Sequence, residues 1–205
     1  VQGENIDVVV YDLQRDTPTR LTFAPGRDGY PLWTPDGQRI VFSSDRDGIL
    51  TLFSKSADGT GQAEQLTTSD AALVPEAWAD DGQTLVAQIT RGEPGLQLIH
   101  VGTDGGDEEL LNTEFIELYS DVSPDGNWIA YMSDESGQFE VYARPFPNVD
   151  GGRWQISRAG GLAPRWAPDG RALYFFSENS TEMMVAAVET EPTFSPGNPE
   201  SLFSL

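Results

Sequence analysis

One turn recurs along this chain at a nearly fixed interval. Pro35-Asp36-Gly37, Asp80-Asp81-Gly82, Pro124-Asp125-Gly126 and Pro168-Asp169-Gly170 place their glycines 45, 44 and 44 residues apart. A period of that size, filled with turns and short apolar runs, predicts an array of four-stranded sheets arranged as propeller blades. Each turn follows a short run ending near tryptophan: Trp33, Trp78 and Trp166, with Val122 in the third copy. Each is followed by an apolar strand, at 40–42, 85–87, 129–131 and 173–175. A second ladder, Leu21, Leu66, Leu111 and Ile156, repeats every 45 residues and opens a Leu-Thr or Ile-Ser pair in three of its four copies.

The turn residues have a physical reason to be there. Proline holds φ near about −65°, which suits the second position of a type I turn, and aspartate bonds neighbouring backbone. Glycine then takes the left-handed conformation that closes a hairpin with a bulge. Pro35, Asp36, Gly37, Asp81, Gly82, Asp125, Gly126, Asp169 and Gly170 are therefore expected to be structural, with a looser turn where Asp80 replaces proline.

The fold class expected is all-β. It is a β-propeller of four-stranded antiparallel blades, four complete blades plus an N-terminal half blade, in one unit over 1–205. The half blade covers 1–23, and the blades run over about 30–67, 76–112, 119–157 and 164–205. Strands are expected near 31–34, 39–44, 50–54 and 64–67 in the first blade, and near 8–13 and 20–23 in the half blade. No helix is expected: 21 glycines and 14 prolines punctuate the chain too closely. The half blade leaves strand edges open, which predicts either completion by a further N-terminal segment or self-association through the open end. The chain begins at Val1 without an initiating Met, which predicts a processed or truncated start.

Composition narrows the chemistry. With no cysteine there is no thiol nucleophile, disulfide or cysteine metal site, and with His100 as the one histidine no histidine-bridged metal site forms within the chain. There is no Gly-x-Ser-x-Gly elbow for a serine nucleophile. Asp45-Arg46-Asp47-Gly48 starts like a calcium loop but lacks the later ligands and the closing Glu. These absences predict no cofactor, no metal and no catalytic residue, and so a chain that is not itself an enzyme. The net charge is −21, with 33 acidic residues against 12 basic ones. Such a field repels nucleic acid and anionic lipid and favours basic protein or peptide partners. No run is apolar enough to span a membrane, so this segment is expected to make no membrane contact.

Binding usually resides on loops held by a rigid scaffold. The loops joining second to third strands, and one unit to the next, share one face. They carry Arg27, Asp28, Asp45, Arg46, Asp47, Asp134, Glu135 and Glu178. Tyr30, Tyr119, Asp121 and Arg165 stand near the starts of the inner strands, where they are placed to line a channel. These residues form the candidate ligand or partner site.

The stretches from Leu32-Trp33-Thr34-Pro35-Asp36-Gly37 to Phe42-Ser43-Ser44-Asp45, and from Val122-Ser123-Pro124-Asp125-Gly126 to Tyr131-Met132-Ser133-Asp134, resemble the TolB-type (WD-repeat-like) propeller repeat. The resemblance extends over nearly the whole chain. A narrower likeness lies in Ser133-Asp134-Glu135-Ser136-Gly137, Glu140 to Pro147, Gly152 to Ser157 and Glu191-Pro192-Thr193-Phe194. These segments are similar to the propeller C-terminal to bacterial membrane-anchored serine/threonine protein kinases. That likeness implies a six-bladed ring and a sensing domain in the periplasm or outside the cell, with the kinase elsewhere in the gene product. The function expected is a non-catalytic protein- or ligand-binding, sensing propeller. The alternatives are a TolB-like periplasmic translocation or scaffold component, and a fragment of a propeller enzyme such as a polysaccharide lyase or a prolyl-oligopeptidase-type gating domain.

Overall fold

The computed structural model describes residues 5–67, 71–79, 82–90, 95–101 and 108–205, with the backbone alone for 98–100. The array opens with a two-stranded hairpin, β1 (Val9–Asp12) and β2 (Thr17–Arg20). The first blade is β3 (Asp28–Trp33), β4 (Arg39–Ser44), β5 (Thr51–Ser56) and β6 (Glu64–Gln65). The second is β7 (Leu73–Trp78), β8 (Thr84–Ile89), β9 (Gly95–His100) and β10 (Glu108–Leu111). The third is β11 (Glu117–Val122), β12 (Trp128–Ser133), β13 (Glu140–Pro145) and β14 (Trp154–Gln155). The fourth is β15 (Leu162–Trp166), β16 (Ala172–Phe176) and β17 (Glu182–Glu189), whose outer edge is shared by β18 (Ser195–Pro196) and β19 (Glu200–Ser204). Every pairing between these strands is antiparallel, and no α-helix occurs among the described residues. The chain is a β-propeller array of four-stranded blades.

Alternation along each second strand explains how the sheets stack. In β4, Ile40 and Phe42 point back toward Val8 and Leu21 of the hairpin, whereas Val41 points forward to Leu73, Leu85 and Ala87 of the next blade. The pattern repeats with Val86 facing Ile129 and Tyr131, and Ala130 facing Leu173 and Phe175. Period-two side-chain direction thus gives each sheet two apolar faces and places one core in every seam. Each fully buried side chain of this size contributes roughly 1.5–3 kcal/mol.

The leucine ladder holds the outer strands. Leu21, Leu111 and Ile156 are buried, and Leu66 packs against the seam after the first blade. In three copies the following hydroxyl caps the third strand. Thr22 Oγ1 accepts from Val8 N at 2.9 Å, Thr67 Oγ1 from Leu52 N at 3.3 Å and Ser157 Oγ from Val141 N at 2.7 Å. The recurring turns close as their sequence demands. Gly37, Gly126 and Gly170 have φ of +68°, +70° and +70° and donate to the residue three back at 2.8–2.9 Å. Asp36, Asp125 and Asp169 each accept from the amide two residues on, at 3.0, 3.2 and 3.0 Å. Asp80 and Asp81 lie outside the described residues. Gly82, next to them, closes on Ala79 O at 3.1 Å with φ +62°.

Several boundaries differ from the sequence reading: the inner strands open at Asp28, Leu73, Glu117 and Leu162, two or three residues before the expected blade starts at 30, 76, 119 and 164. The half-blade hairpin turns early, so its second strand is Thr17–Arg20 rather than one starting at Arg20. Asp12 Oδ1 accepts from Gln14 N and Arg15 N, and Asp16 takes φ +55°, which folds the chain back within four residues. The first inner strand begins at Asp28 rather than Pro31, because a bulge at Tyr30-Pro31 interrupts its register without ending it.

Candidate functional site

The inner strands β3, β7, β11 and β15 lie side by side in chain order. Each carries a bulge at the same repeat position. At that position Tyr30, Tyr119 and Ala163 adopt φ of +53°, +52° and +49°, a conformation that costs a non-glycine residue about 1–2 kcal/mol. Proline occupies it in the second blade, as Pro75. The left-handed turn throws the tyrosine side chains off the sheet: Tyr30 is 59% exposed and Tyr119 50%, and Trp33 on the same strand as Tyr30 is 50% exposed. The hairpin before β3 supplies no inner strand to cover Trp33, whereas Trp166 is buried and donates Nε1–H to Asp121 O of the preceding blade at 3.2 Å.

A buried acid, Glu76, and a half-buried one, Asp121, hold these bulges in place. Glu76 of the second blade accepts from Tyr119 N at 2.7 Å, Ser120 N at 2.5 Å and Ser120 Oγ at 2.6 Å in the third. Asp121 of the third blade accepts from Trp166 N at 2.7 Å in the fourth. Arg165 donates to Ser120 O at 3.1 Å and stands 4.0 Å from the Asp121 carboxylate. Burial pushes the Glu76 carboxyl up, against the hydrogen bonds from Ser120 and Tyr119 and the charge of Arg165. Burial likewise pushes Asp121 up, opposed by the Trp166 amide and by Arg165.

The predicted residues fall into three settings. Arg27, Tyr30 and Asp45 meet in one cleft of about 500 Å³, walled by Ile6, Ile49, Leu50 and Ala72. Asp45 is partly committed there, since its Oδ1 accepts from Arg27 N at 2.7 Å. Tyr119, Asp121 and Arg165 meet on the inner strands of the last two blades. The others serve the loop face itself. Asp28 is buried and gripped by Arg46 Nη2 at 3.0 and 3.2 Å, while Asp47 stands exposed at the loop tip. Asp134 accepts from Ile116 N at 2.9 Å, repeating the Asp45 bond; Glu135 pairs with Arg153, and Glu178 lies against Gly160. Sequence reasoning missed Glu76 and exposed Trp33. The signal for Glu76 was a lone carboxylate inside the apolar run Val74-Pro75-Glu76-Ala77-Trp78.

Comparison with known proteins adds the following. A family model described as TolB beta propeller domain matches residues 1–118. Over 182 residues the chain is 27% identical to the protein named "Uncharacterized peptidase YuxL" of Bacillus subtilis, covering 86% of this chain and 25% of that one. It is 30% identical over 148 residues to "Protein TolB homolog" of Chlorobium luteolum, covering 69% of this chain and 32% of that one. The chain thus spans a quarter to a third of these relatives. Among solved structures, a putative TolB from Agrobacterium tumefaciens superposes with TM-score 0.75 at 20% identity, over 93% of this chain and 70% of that one. A prolyl endopeptidase superposes with TM-score 0.60 at 13% identity, over 95% of this chain and 33% of that one. At those identities the structures share the fold. The peptidase-named relative overturns the expectation that this chain is not an enzyme. The physical reason is that a blade repeat encodes a scaffold, and missing catalytic motifs within it do not separate an enzyme's propeller from any other.

Proposed function

This chain belongs to the TolB β-propeller domain family, and on that premise we propose that it is the partner-recognition propeller of a longer protein, taking a basic protein or peptide across its inner strands and adjoining loop face. The observation that carries this reading is the set of exposed aromatics at strained positions. Tyr30 and Tyr119 are held in left-handed bulges and stand 59% and 50% exposed. Exposed, rigidly mounted Tyr and Trp are the side chains that dominate binding energy at interfaces. Strain of this kind persists where surrounding structure over-determines it, as Glu76 does for Tyr119. The charge of −21 steers basic partners toward this surface, while Arg27 and Arg165 add local contacts for a partner's carboxylate or carbonyl groups.

The relatives are longer, which supports a role in selecting what reaches the remainder of a protein. The kinase-like segments at 133–157 and 191–194 support an extracytoplasmic, sensing placement as the finer reading. The test is fluorescence anisotropy with a short lysine-rich peptide carrying tyrosine, alongside its glutamate-rich counterpart. The lysine-rich probe is expected to bind, more weakly as salt rises, and Tyr119→Ala or Tyr30→Ala to weaken it by roughly tenfold or more each. Equal binding of both probes, or binding untouched by either substitution, would refute the proposal.

A further inference from the structure

The first and third blades are repeats offset by 89 residues, the distance from Pro35 to Pro124. At that offset Asp28 corresponds to Glu117, Phe42 to Tyr131, Ser44 to Ser133, Arg46 to Glu135 and Phe53 to Tyr142. The pairing supports the equivalence: Asp28 lies opposite Ser44 across β3–β4, and Glu117 opposite Ser133 across β11–β12. In the first blade the buried acid is neutralised from within. Arg46 bonds Asp28 through Nη2, donates Nε–H to Ser44 Oγ at 2.8 Å and lies over the Phe53 ring at 4.2 Å.

In the third blade an acid, Glu135, stands at the Arg46 position, and the guanidinium over the equivalent ring is that of Arg153, bound to Glu135 rather than to Glu117. Glu117 is 2% exposed; Thr113 Oγ1 donates to its Oε1, and its Oε2 is buried with no hydrogen-bond partner. Glu135 takes Arg153 on Oε2, and its Oε1 is also buried with no partner. The surrounding charges do not close the gap. Arg144 is spent on Tyr131 Oη at 2.8 Å and Val149 O at 2.9 Å, and Arg153 on Glu135 over the Tyr142 ring. Glu140, the other acid nearby, is satisfied by Ser157, Gly160 and Gln138. A buried carboxylate without a counter-charge is among the costliest arrangements a fold can hold. Burial pushes the Glu117 carboxyl up; the Thr113 hydrogen bonds oppose this, the Glu135 charge adds to it and the Arg144 charge opposes it.

We propose that the third blade binds a divalent oxygen-seeking cation of the calcium class beside the buried Glu117 carboxylate, where Arg46 reaches Asp28 in the first blade and where Arg153, held over Tyr142 on Glu135 Oε2, does not reach, with Glu117 Oε2 and Glu135 Oε1 as its anionic ligands and the Ser133 hydroxyl beside them. Among the described residues no three His, Cys, Asp or Glu side chains gather as a metal site. This one has two carboxylates and a hydroxyl, so water completes the shell and the affinity falls in the weak range, Kd about 10⁻⁴–10⁻³ M. The cation joins the inner strand to the β12–β13 loop, as Arg46 does two blades earlier.

The experiment is thermal unfolding of the chain across a calcium chloride titration at constant ionic strength, repeated with manganese and followed by terbium luminescence sensitised by the nearby tyrosines. The wild type is expected to rise in Tm with the logarithm of calcium concentration and to give a terbium signal. Glu135→Arg restores the first-blade arrangement. It is expected to melt above the wild type in chelator, to lose the calcium response and to give no terbium signal. Glu135→Gln, which keeps the side-chain shape, is expected to lose most of the response even if the arginine variant fails to fold. A wild type that ignores calcium, manganese and terbium overturns the proposal. So does a response that survives Glu135→Gln, which would place the ion elsewhere. So too does a wild type that responds to no metal but gains stability as pH falls into the carboxylate range, with Glu135→Gln removing that gain, since the two acids would then share a proton.

Discussion

Replacing Glu76 tests whether the blades are stitched through buried acids. Its carboxylate receives two backbone amides and one hydroxyl from the third blade, and Ser120 is fully buried. Glu76→Ala leaves the amides of Tyr119 and Ser120 without an acceptor, at about 1–3 kcal/mol each. The Ser120 hydroxyl can rotate to another acceptor and adds nothing certain to the sum. Removing buried methylene adds roughly 0.8 kcal/mol. The expected loss is about 3–7 kcal/mol, a large share of the roughly 5–15 kcal/mol that holds a domain together. Glu76→Gln keeps the shape and one acceptor but turns an NH₂ toward the remaining donors, for a loss of about 2 kcal/mol. Urea unfolding followed by tryptophan fluorescence gives the first number, and hydrogen exchange at Tyr119 and Ser120 locates it. The pH dependence has a definite sign. Burial raises the folded-state Glu76 pKa above its ordinary 4.5, so the native state holds that proton more tightly than the unfolded chain. The associated stability is full below the ordinary value and is lost as pH rises through the folded value. The gap between wild type and Glu76→Gln is therefore widest in acid and narrows toward neutrality. A Glu76→Ala variant that loses under about 1 kcal/mol, with Tyr119 and Ser120 amides protected as before, would show that the bulges stand without their acids.

Two further substitutions probe the scaffold. Phe194 packs against Trp128 at 4.5 Å, Trp154 at 5.1 Å and Trp166 at 6.5 Å between ring centres, so Phe194→Ala should cost about 3–5 kcal/mol and flatten the near-ultraviolet circular dichroism. An unchanged near-ultraviolet spectrum would mean the aromatic cluster is not ordered as described. Gly37 has φ +68° with nothing within 4 Å of where a Cβ would stand, so Gly37→Ala carries backbone strain alone, about 1 kcal/mol by urea unfolding. Gly37→Asn should cost less, because asparagine tolerates that conformation, and the reverse order would count against a left-handed turn.

The fold was legible because its determinants are local and repeated. A Pro-Asp-Gly turn fixes a hairpin by its own dihedral preferences, and an unbroken apolar run such as Ile40-Val41-Phe42 announces a sheet buried on both faces. The inner-strand bulges were not legible. Nothing in Gly29-Tyr30-Pro31 marks a tyrosine for positive φ, since β-sheet context and the loop around it impose the conformation. The candidate site was legible in part. Arg27, Tyr30 and Asp45 converge in one cleft, but Asp28 and Arg46 turn inward onto each other, which sequence spacing alone does not distinguish from two exposed loop charges. The partner of Glu76 lies 43 and 44 residues away in the next blade, a distance no local pattern reports.

What distinguishes one blade from another is therefore where this molecule's particular chemistry resides. Positions that repeat faithfully, such as the turn glycines and the leucine ladder, explain why the sheets form and stack. Positions that break the repeat carry charge: Glu76 where the other blades have Pro31, Ser120 and Pro164, Asp121 where they have Leu32, Ala77 and Arg165, and Glu135 where the first has Arg46. Glu76 is buried and Asp121 and Glu135 are partly so, so each has a desolvation cost that the scaffold's four seams must offset. Tyr119 held upright by the carboxylate of a neighbouring blade is a choice against stability, and it makes the inner wall of the third blade the first place to look for what this propeller holds.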